Sequence, residues 1–366
     1  MLSLERIGLR DWRNFESADV SLDRRLTVIA GPNAMGKTNI VEAIHLLTCG
    51  QTFRGSRSVD MVRHDQQVSR ITGVIGGDGR RIDVRVDIAD GRRKFSRNGK
   101  PCQGSSMPTV LPAVTFTPDD LDMVKGSPSR RRRELDVFGT CVSQTYGQLL
   151  TNYSRIVEQR NRLLKEDTID DALLMAWDEQ LVSVGASVIS HRMNLARLVA
   201  QAARTAHASI ADGEELLSTY ECSAGELGQT PSVEDIRHRL ADALANSRAE
   251  ERARRQTVVG PHRDDILFEV EGRAAREFCS QGQQRSIVLA WKIAEVEVAR
   301  GIGGQPPMLL LDDVMSELDE SRRDALTRSV IGDAQTVVTT TNLGYFSGEL
   351  LDEAKVVRVG EKGIVE

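Results

Sequence analysis

The string GPNAMGKT at residues 31 to 38 constrains this chain more than any other. It fits the pattern G-x-x-x-x-G-K-[ST], which works in one context: a buried strand, a glycine loop, then a helix whose N-terminus faces phosphate. The sequence supplies that context. Leu26 to Ala30 is a short apolar run, and beyond the loop Ile40, Val41, Ile44 and Leu47 recur with helical spacing. Gly31 and Gly36 let the backbone wrap phosphate oxygens closely, with Pro32, Asn33, Ala34 and Met35 completing the cradle. Lys37 is expected to place its charge on the β and γ phosphates, and Thr38 to offer its hydroxyl to Mg²⁺. The expected ligand is a nucleoside triphosphate. Small-molecule kinases, GTPases, transport motors and DNA-handling machines all use such a loop, so the rest of the chain must decide.

A second string supports the first. In PMLLLDD the apolar residues Met308 to Leu311 fit a central parallel strand buried on both faces, which delivers its last side chains to the ligand edge of the sheet. Asp312 is the expected Mg²⁺ partner. Asp313, one residue on, is placed to orient or deprotonate a water that attacks the γ-phosphate. The string SQGQQRS at 280 to 286 separates the candidate classes. Ser280, Gly282 and Gln283 precede an amphipathic helix (Ile287, Ala290, Trp291, Ala294, Val298), so free N–H groups and a positive helix end face outward. Taken alone the string fits an ordinary capped helix; beside the phosphate loop it reads as a second anion-binding helix start, best explained by the nucleotide of a partner subunit.

The organisation along the chain follows a change of pattern. Residues 71 to 115 alternate as in RIDVRVDIA between glycine turns, which predicts a small antiparallel sheet. After Pro128 the period lengthens: Phe138, Val142, Tyr146, Leu149, Tyr153 and Ile156, then Leu174, Trp177, Leu181, Val184 and Val188, mark a helical hairpin or small bundle. Strand-like text returns at RQTVVGPHRDDILFEVEG. The reading is therefore an α/β nucleotide-binding head of mixed and antiparallel sheets, contributed by residues 1–125 and 251–366, with a short helical insertion at 126–250.

Bulk properties bound the partners. At 366 residues with 40% hydrophobic content the chain can fill two or three cores. Its start carries charges where a signal peptide has its apolar stretch, and no run approaches the roughly 18 uninterrupted apolar residues of a membrane helix, so a cytoplasmic location is expected. Five cysteines without C-x-x-C pairing suggest neither a disulfide framework nor a zinc site. None of the six histidines has metal or triad spacing; His45 reads as helix surface or packing and His262 as part of an internal polar network. The net charge of −5 argues against a protein that clings to nucleic acid with its whole surface. Two basic runs stand out, Arg92, Arg93 and Lys94 within GRRKFSRNGK, and Arg130, Arg131, Arg132 and Arg133 within KGSPSRRRR. Each is either a solvated segment or a contact for backbone phosphates.

The ordered strings LRDWRNFE, GPNAMGKTNIVEAIHLL, FTPDDLDMVKGSPSRRRRELD, QRNRLLK, VVGPHRDD, SQGQQRS and LLLDDVMSELD resemble the RecF family of ABC-type ATPase heads, which are related to SMC chromosome proteins, over nearly the whole length. The resemblance implies ATP and Mg²⁺ as cofactors and an ATP-dependent homodimer in which Ser280 and Gly282 contact the γ-phosphate held by the other subunit. Asp319 then belongs to a loop that communicates between the sites. It also implies duplex DNA near single-strand gaps as ligand, RecR and RecO as partners in loading RecA, and weak ATPase activity. Three positions depart from the pattern: Ala34 where glycine is frequent, Asp313 where ABC heads have glutamate, and Thr340, Thr341 and Asn342 in place of a γ-phosphate-sensing histidine. A P-loop phosphotransferase leaves SQGQQRS and SELD without work, and a transporter ATPase subunit leaves the helical insertion and basic runs unexplained.

Overall fold

The computed structural model describes residues 1–211, 213–228, 230–330, 334–360 and 363–365. The chain opens with strands β1 (Ser3–Trp12), β2 (Phe15–Ser21) and β3 (Leu26–Ala30), then helix α1 (Lys37–Cys49). Strands β4 (Val68–Gly77), β5 (Arg80–Ala89), β6 (Arg92–Arg97), β7 (Lys100–Cys102) and β8 (Ala113–Phe116) follow. Next come helices α2 (Pro128–Val142), α3 (Gln144–Leu163) and α4 (Asp171–Ile210), strand β9 (Leu216–Glu221), and helices α5 (Val233–Asn246) and α6 (Arg248–Arg254). The last third contains β10 (Asp265–Val270), β11 (Arg273–Ala274), α7 (Ala275–Phe278), α8 (Gln281–Gly303), β12 (Met308–Asp312), α9 (Glu320–Val330), β13 (Thr336–Thr340), β14 (Lys355–Gly360) and β15 (Gly363–Val365).

The central sheet runs β15-β14-β3-β13-β12-β8, parallel except where β15 returns along β14. Its strands are buried on both faces, and the pleat sends alternate residues to two different cores. Val28, Leu309, Leu311 and Val338 point to α8, α4 and β10, whereas Ile29, Met308, Leu310 and Val337 point to α1 and an antiparallel sheet. That second sheet, ordered β2-β1-β4-β5-β6-β7, covers the outer face of α1. Helix α1 is thus buried nearly all round, with Ile40, Val41, Ile44, Leu46 and Leu47 among its covered residues; each such apolar side chain contributes about 1.5–3 kcal/mol. The alternation expected for 71–115 therefore holds only to Cys102. Residues 113–116 leave that sheet and join the edge of the central one, because AVTF is apolar throughout and fits a strand covered on both faces.

The helical segment carries its own core, built by Tyr153, Leu181, Val188, Leu240 and neighbours from α3, α4 and α5. It also contains β9, which pairs with β10 beyond it, so the stretch 126–250 is not wholly helical. Helix α4 joins the two cores: its first half packs in the arm through Leu181, Val188 and Ile189, its second on α8 and the central sheet through Leu195, Val199 and Ala203. Buried ion pairs brace the arm and its junction with the head. Arg160 binds Glu251 and Asp178, and Arg192 grips Asp136 and the Pro261 carbonyl.

His262 sits in this junction. Its Nδ1 accepts from the Tyr153 hydroxyl at 2.8 Å, so Nε2 carries the proton and donates to the Thr257 carbonyl at 3.2 Å. Burial, reinforced by Arg263, Arg132 and Arg192, lowers its pKa to about 4.

The phosphate loop has a demanding backbone. A Cβ at residue 31 would lie 2.2 Å from the Val359 carbonyl oxygen, and Gly36 has φ of +100° with Asn14 against it. Ala34 adopts φ of +65° although it has a Cβ. The missing glycine leaves the loop shape intact at the cost of local strain, on the order of 1–2 kcal/mol.

Two outcomes are expected. Ala34→Gly relieves that strain but loosens the unfolded chain, leaving the protein about 0.5–1 kcal/mol more stable, read as a rise in Tm. The folded pKa of His262 lies below the ordinary 6.5, so its contribution is complete above pH 6.5 and disappears as pH falls toward 4. About 3 kcal/mol is lost across that window. In His262→Gln, denaturant unfolding should show a flatter dependence between pH 6.5 and 4.

Candidate nucleotide site

The carboxyl ends of β3, β13 and β12 lie side by side because Thr340 is opposite Ala30 and Asp312 is opposite Thr339 in the parallel register. The loop after β3 and the acidic pair after β12 therefore meet. The Thr38 hydroxyl donates to Asp312 Oδ1 at 3.0 Å, and the Thr339 hydroxyl donates to the same oxygen at 2.7 Å. Asp312 is only 5% exposed. Burial raises its pKa, against the two threonine hydrogen bonds that favour the charged form.

Lys37 crowns the same edge. Its ammonium donates back to the Gly31 and Pro32 carbonyls at 2.7 and 2.9 Å, so the loop holds it in place. Burial lowers its pKa while Asp313 and Asp312 oppose that shift. Asp313 adopts φ of +54°, a left-handed conformation that turns its side chain out of the strand direction, and its N–H donates to Thr339 Oγ1 at 2.9 Å. Its Oδ1 is buried without a hydrogen-bond partner. Burial and Glu317 raise its pKa, with Lys37 opposing. An acceptor left open beside a lysine and a threonine-held carboxylate has the chemistry of a site for water and phosphate.

The antiparallel sheet buttresses the loop from the β1–β2 hairpin. Asn14 Nδ2 donates to the Met35 carbonyl at 3.2 Å, Trp12 Nε1 donates to the Asn39 carbonyl at 2.7 Å, and Arg13 pairs with fully buried Glu42 at 2.8 Å. Residue reasoning assigned no role to these side chains or to Thr339. A run of three threonines ending a buried strand, TVVTT followed by Thr341, was the available signal for the latter. At that strand end Thr340 is buried and accepts from the Asn342 N–H, while Thr341 is exposed.

The second helix start lies apart from the first. Ser280 caps α8: its Oγ accepts from the Gln283 N–H at 3.2 Å, and Gln283 Oε1 accepts from the Ser280 N–H at 3.0 Å. Gln283 also donates to Glu214 at 3.0 Å. Arg322 covers the first turn, donating to the Gly282 carbonyl at 2.9 Å and to Ser286 Oγ at 3.0 Å while pairing with Asp319. Asp319 and Gly282 are thus tied through one guanidinium. Among the described residues no hydrogen bond or ion pair joins 280–283 to 31–38. Phe278, just before this turn, is 64% exposed.

The basic runs divide. Arg92 and Lys94 point to solvent from β6, while Arg93 turns inward to the Ser56 carbonyl and Ser58 Oγ. The arginine run is not a loop but the first turns of α2. Arg131 is 3% exposed and holds Asp265 through two hydrogen bonds of 2.7 Å, which removes it from any phosphate contact. Arg132 donates to the Asp264 carbonyl, Arg130 faces Asp122 and Asp119, and exposed Arg133 reaches the Phe53 carbonyl.

The comparisons agree with this geometry. The family profile described as RecF/RecN/SMC N terminal domain matches residues 3–365. A protein of Symbiobacterium thermophilum named DNA replication and repair protein RecF is 41% identical over 349 residues, covering 93% of this chain and 92% of that one. A protein of the same name from Pelotomaculum thermopropionicum is 38% identical, covering 93% and 94%. A solved structure titled as the recombination mediator protein RecF-ATP in the RecFOR pathway superposes with a TM-score of 0.90 at 29% identity, covering 100% of this chain and 97% of that one. The Smc head bound to the C-winged helix domain of ScpA matches at a TM-score of 0.57 and 15% identity, a likeness of fold. With its phosphate loop, its threonine-held carboxylate and its second helix start in this arrangement, the chain belongs to the RecF family of SMC-type ATPase heads.

Proposed function

We propose that this protein is an ATP-gated, DNA-binding clamp of recombinational repair and replication restart that works in the cytoplasm as a homodimer. The observation that carries the reading is the separation of two phosphate-binding helix starts on one chain. The site at 31–38 has its lysine, threonine and carboxylates assembled, while the turn at 280–283, capped within itself by Ser280 and Gln283, shares no hydrogen bond with it among the described residues and follows exposed Phe278. A second copy of the chain that brought its own Ser280, Gly282 and Gln283 over the γ-phosphate would complete the site and bury Phe278. ATP then joins the subunits, and its hydrolysis separates them.

Thr38 and Asp312, already within 3.0 Å of each other, form a hard oxygen donor pair that suits Mg²⁺. When bound, that ion neutralises charge on the β and γ phosphates. Thr339 holds Asp312 in position, Lys37 exchanges its loop carbonyls for phosphate oxygens, and Asp313 accepts a hydrogen bond from the attacking water through its open Oδ1. Aspartate reaches less far than glutamate, which is consistent with slow turnover. Thr341 and Asn342, both exposed just beyond β13, are the side chains proposed to report on the γ-phosphate. The head formed by 1–125 and 251–366 and the arm at 126–250 serve as the working division of the chain.

Arg92, Lys94 and Arg133 are the exposed cations proposed to meet the DNA backbone, and RecR and RecO are the proposed partners in promoting RecA loading near single-strand gaps. A small-molecule phosphotransferase gives the turn at 280–283 no task, and a transporter subunit gives none to the basic strand β6.

Two experiments test the reading. Sedimentation with ATP and Mg²⁺ should convert the protein to a dimer, while Ser280→Arg remains monomeric yet binds nucleotide with unchanged affinity; loss of nucleotide binding by that monomer would overturn the shared site. Replacing Arg92, Lys94 and Arg133 with alanine should reduce the slope of log affinity for duplex DNA against log salt by about 2.7, at about 0.9 per phosphate contact. An unchanged slope would return these side chains to ordinary solvated surface.

A further inference from the structure

We propose that His45, Cys49 and Cys141 form a binding site for a thiophilic d¹⁰ cation, Zn²⁺ in the first instance, that clamps the nucleotide-loop helix to the first helix of the arm. His45 and Cys49 stand one turn apart on α1, so their side chains share a face. Cys141 comes from the last turn of α2. A ring nitrogen and the two Sγ atoms lie within 4.8 Å of one another, and all three residues are buried. The sequence conceals this, because the cysteines have no C-x-x-C spacing and α2 lies far along the chain. All five cysteines are free thiols.

An independent observation points to a ligand. His45 Nδ1 lies 2.8 Å from the Gln51 carbonyl oxygen, which fixes the ring proton there and turns Nε2 into a lone-pair donor. Nε2 is buried and has no hydrogen-bond partner. A histidine whose far nitrogen is held by a backbone carbonyl has the outer support that metal-bound imidazoles receive. Tetrahedral zinc, with bonds of about 2.3 Å to sulfur and about 2.0 Å to nitrogen, holds its ligand atoms about 3.5–3.8 Å apart, so side-chain rotations of about an ångström close the set.

Charge and access also fit. Two thiols that lose their protons on binding give a neutral site with a divalent cation, so no net charge is left in the interior. Cys49 gives up a weak S–H contact of 3.5 Å to the Ala113 carbonyl, and its sulfur still accepts from the Thr48 hydroxyl at 3.8 Å. His45 and Cys141 line a cavity of about 630 Å³ whose other wall carries Lys292, Glu295 and Glu134, and this supplies both the entry path and room for a water as fourth ligand. Three protein ligands with one position open toward a cavity is a stable arrangement for zinc. Because α1 begins at Lys37 and Thr38, the ion would tie the phosphate site to the arm.

The test is titration of the full-length protein with Co²⁺ under a non-thiol reductant, followed by competition with Zn²⁺. The expected result is one equivalent of cobalt giving thiolate-to-metal charge-transfer absorption that zinc abolishes. Cys141→Ser and Cys49→Ser should each weaken binding by ~10²-fold or more, and Cys102→Ser should leave it unchanged. Circular dichroism and ATP binding confirm that the serine variants are folded. Zinc should raise the Tm of the parent protein and leave that of Cys141→Ser unmoved. Absence of the charge-transfer band in the reduced protein, or its persistence in a folded Cys141→Ser variant, overturns the proposal. Recovery of Cys49 and Cys141 as a disulfide that reduction does not convert to a cobalt site also overturns it.

Discussion

One buried carboxylate organises the functional edge of this protein. Asp312 accepts hydrogen bonds from Thr339 on the neighbouring strand and from Thr38 at the start of α1, a residue 274 positions away in sequence. A carboxylate removed from water is costly unless its oxygens are occupied, so the two hydroxyls and the strand register that delivers them depend on one another. If the register of β12 against β13 slipped by a residue, Asp312 would turn to the opposite face and lose both partners.

From that edge the dependence spreads through three layers. The phosphate loop rests on Asn14 and Trp12, whose sheet in turn lies on α1, and Arg13 neutralises Glu42 inside the same helix. Gln335, just before β13, donates to the carbonyls of Leu4 and Asp23 and accepts from the Leu4 N–H, so the two sheets are joined through one side-chain amide. On the other side α4 belongs to the head core and the arm core at once. A change in the packing of either core is carried along a continuous helix rather than a flexible linker.

Local chemistry was legible in the sequence, and spatial order was not. Strand, loop and helix around residues 26–49 could be read because each is dictated by its own residues, and the apolar run 308–311 announced a strand buried on both faces. Nothing in the linear text said that β13 would lie between β3 and β12, so Thr339 stayed invisible. The arginine run shows a different failure. Four consecutive positions on a helix span most of a turn, so one of them had to face inward, and Arg131 did once the segment became helical. The spacing of His45 and Cys49 was likewise readable as one helix face, but Cys141 joins them only through the packing of α2. Ala34, standing where glycine is frequent, accepts a left-handed backbone, since the glycines and sheet around it determine the path.

The position of β3 has a consequence for synthesis on the ribosome. Its two partners in the central sheet are β13 and β14, drawn from residues 336 to 360. The nascent chain therefore carries its phosphate loop for most of translation on a strand with both edges unpaired. Such edges invite pairing with other chains, and the contacts that close them span more than 300 residues of sequence. The antiparallel sheet and the helical arm can form as they emerge, whereas the nucleotide site is assembled at the end. A prematurely terminated product that folded its arm would lack Asp312 and Thr339, and its phosphate loop would have no carboxylate edge to face.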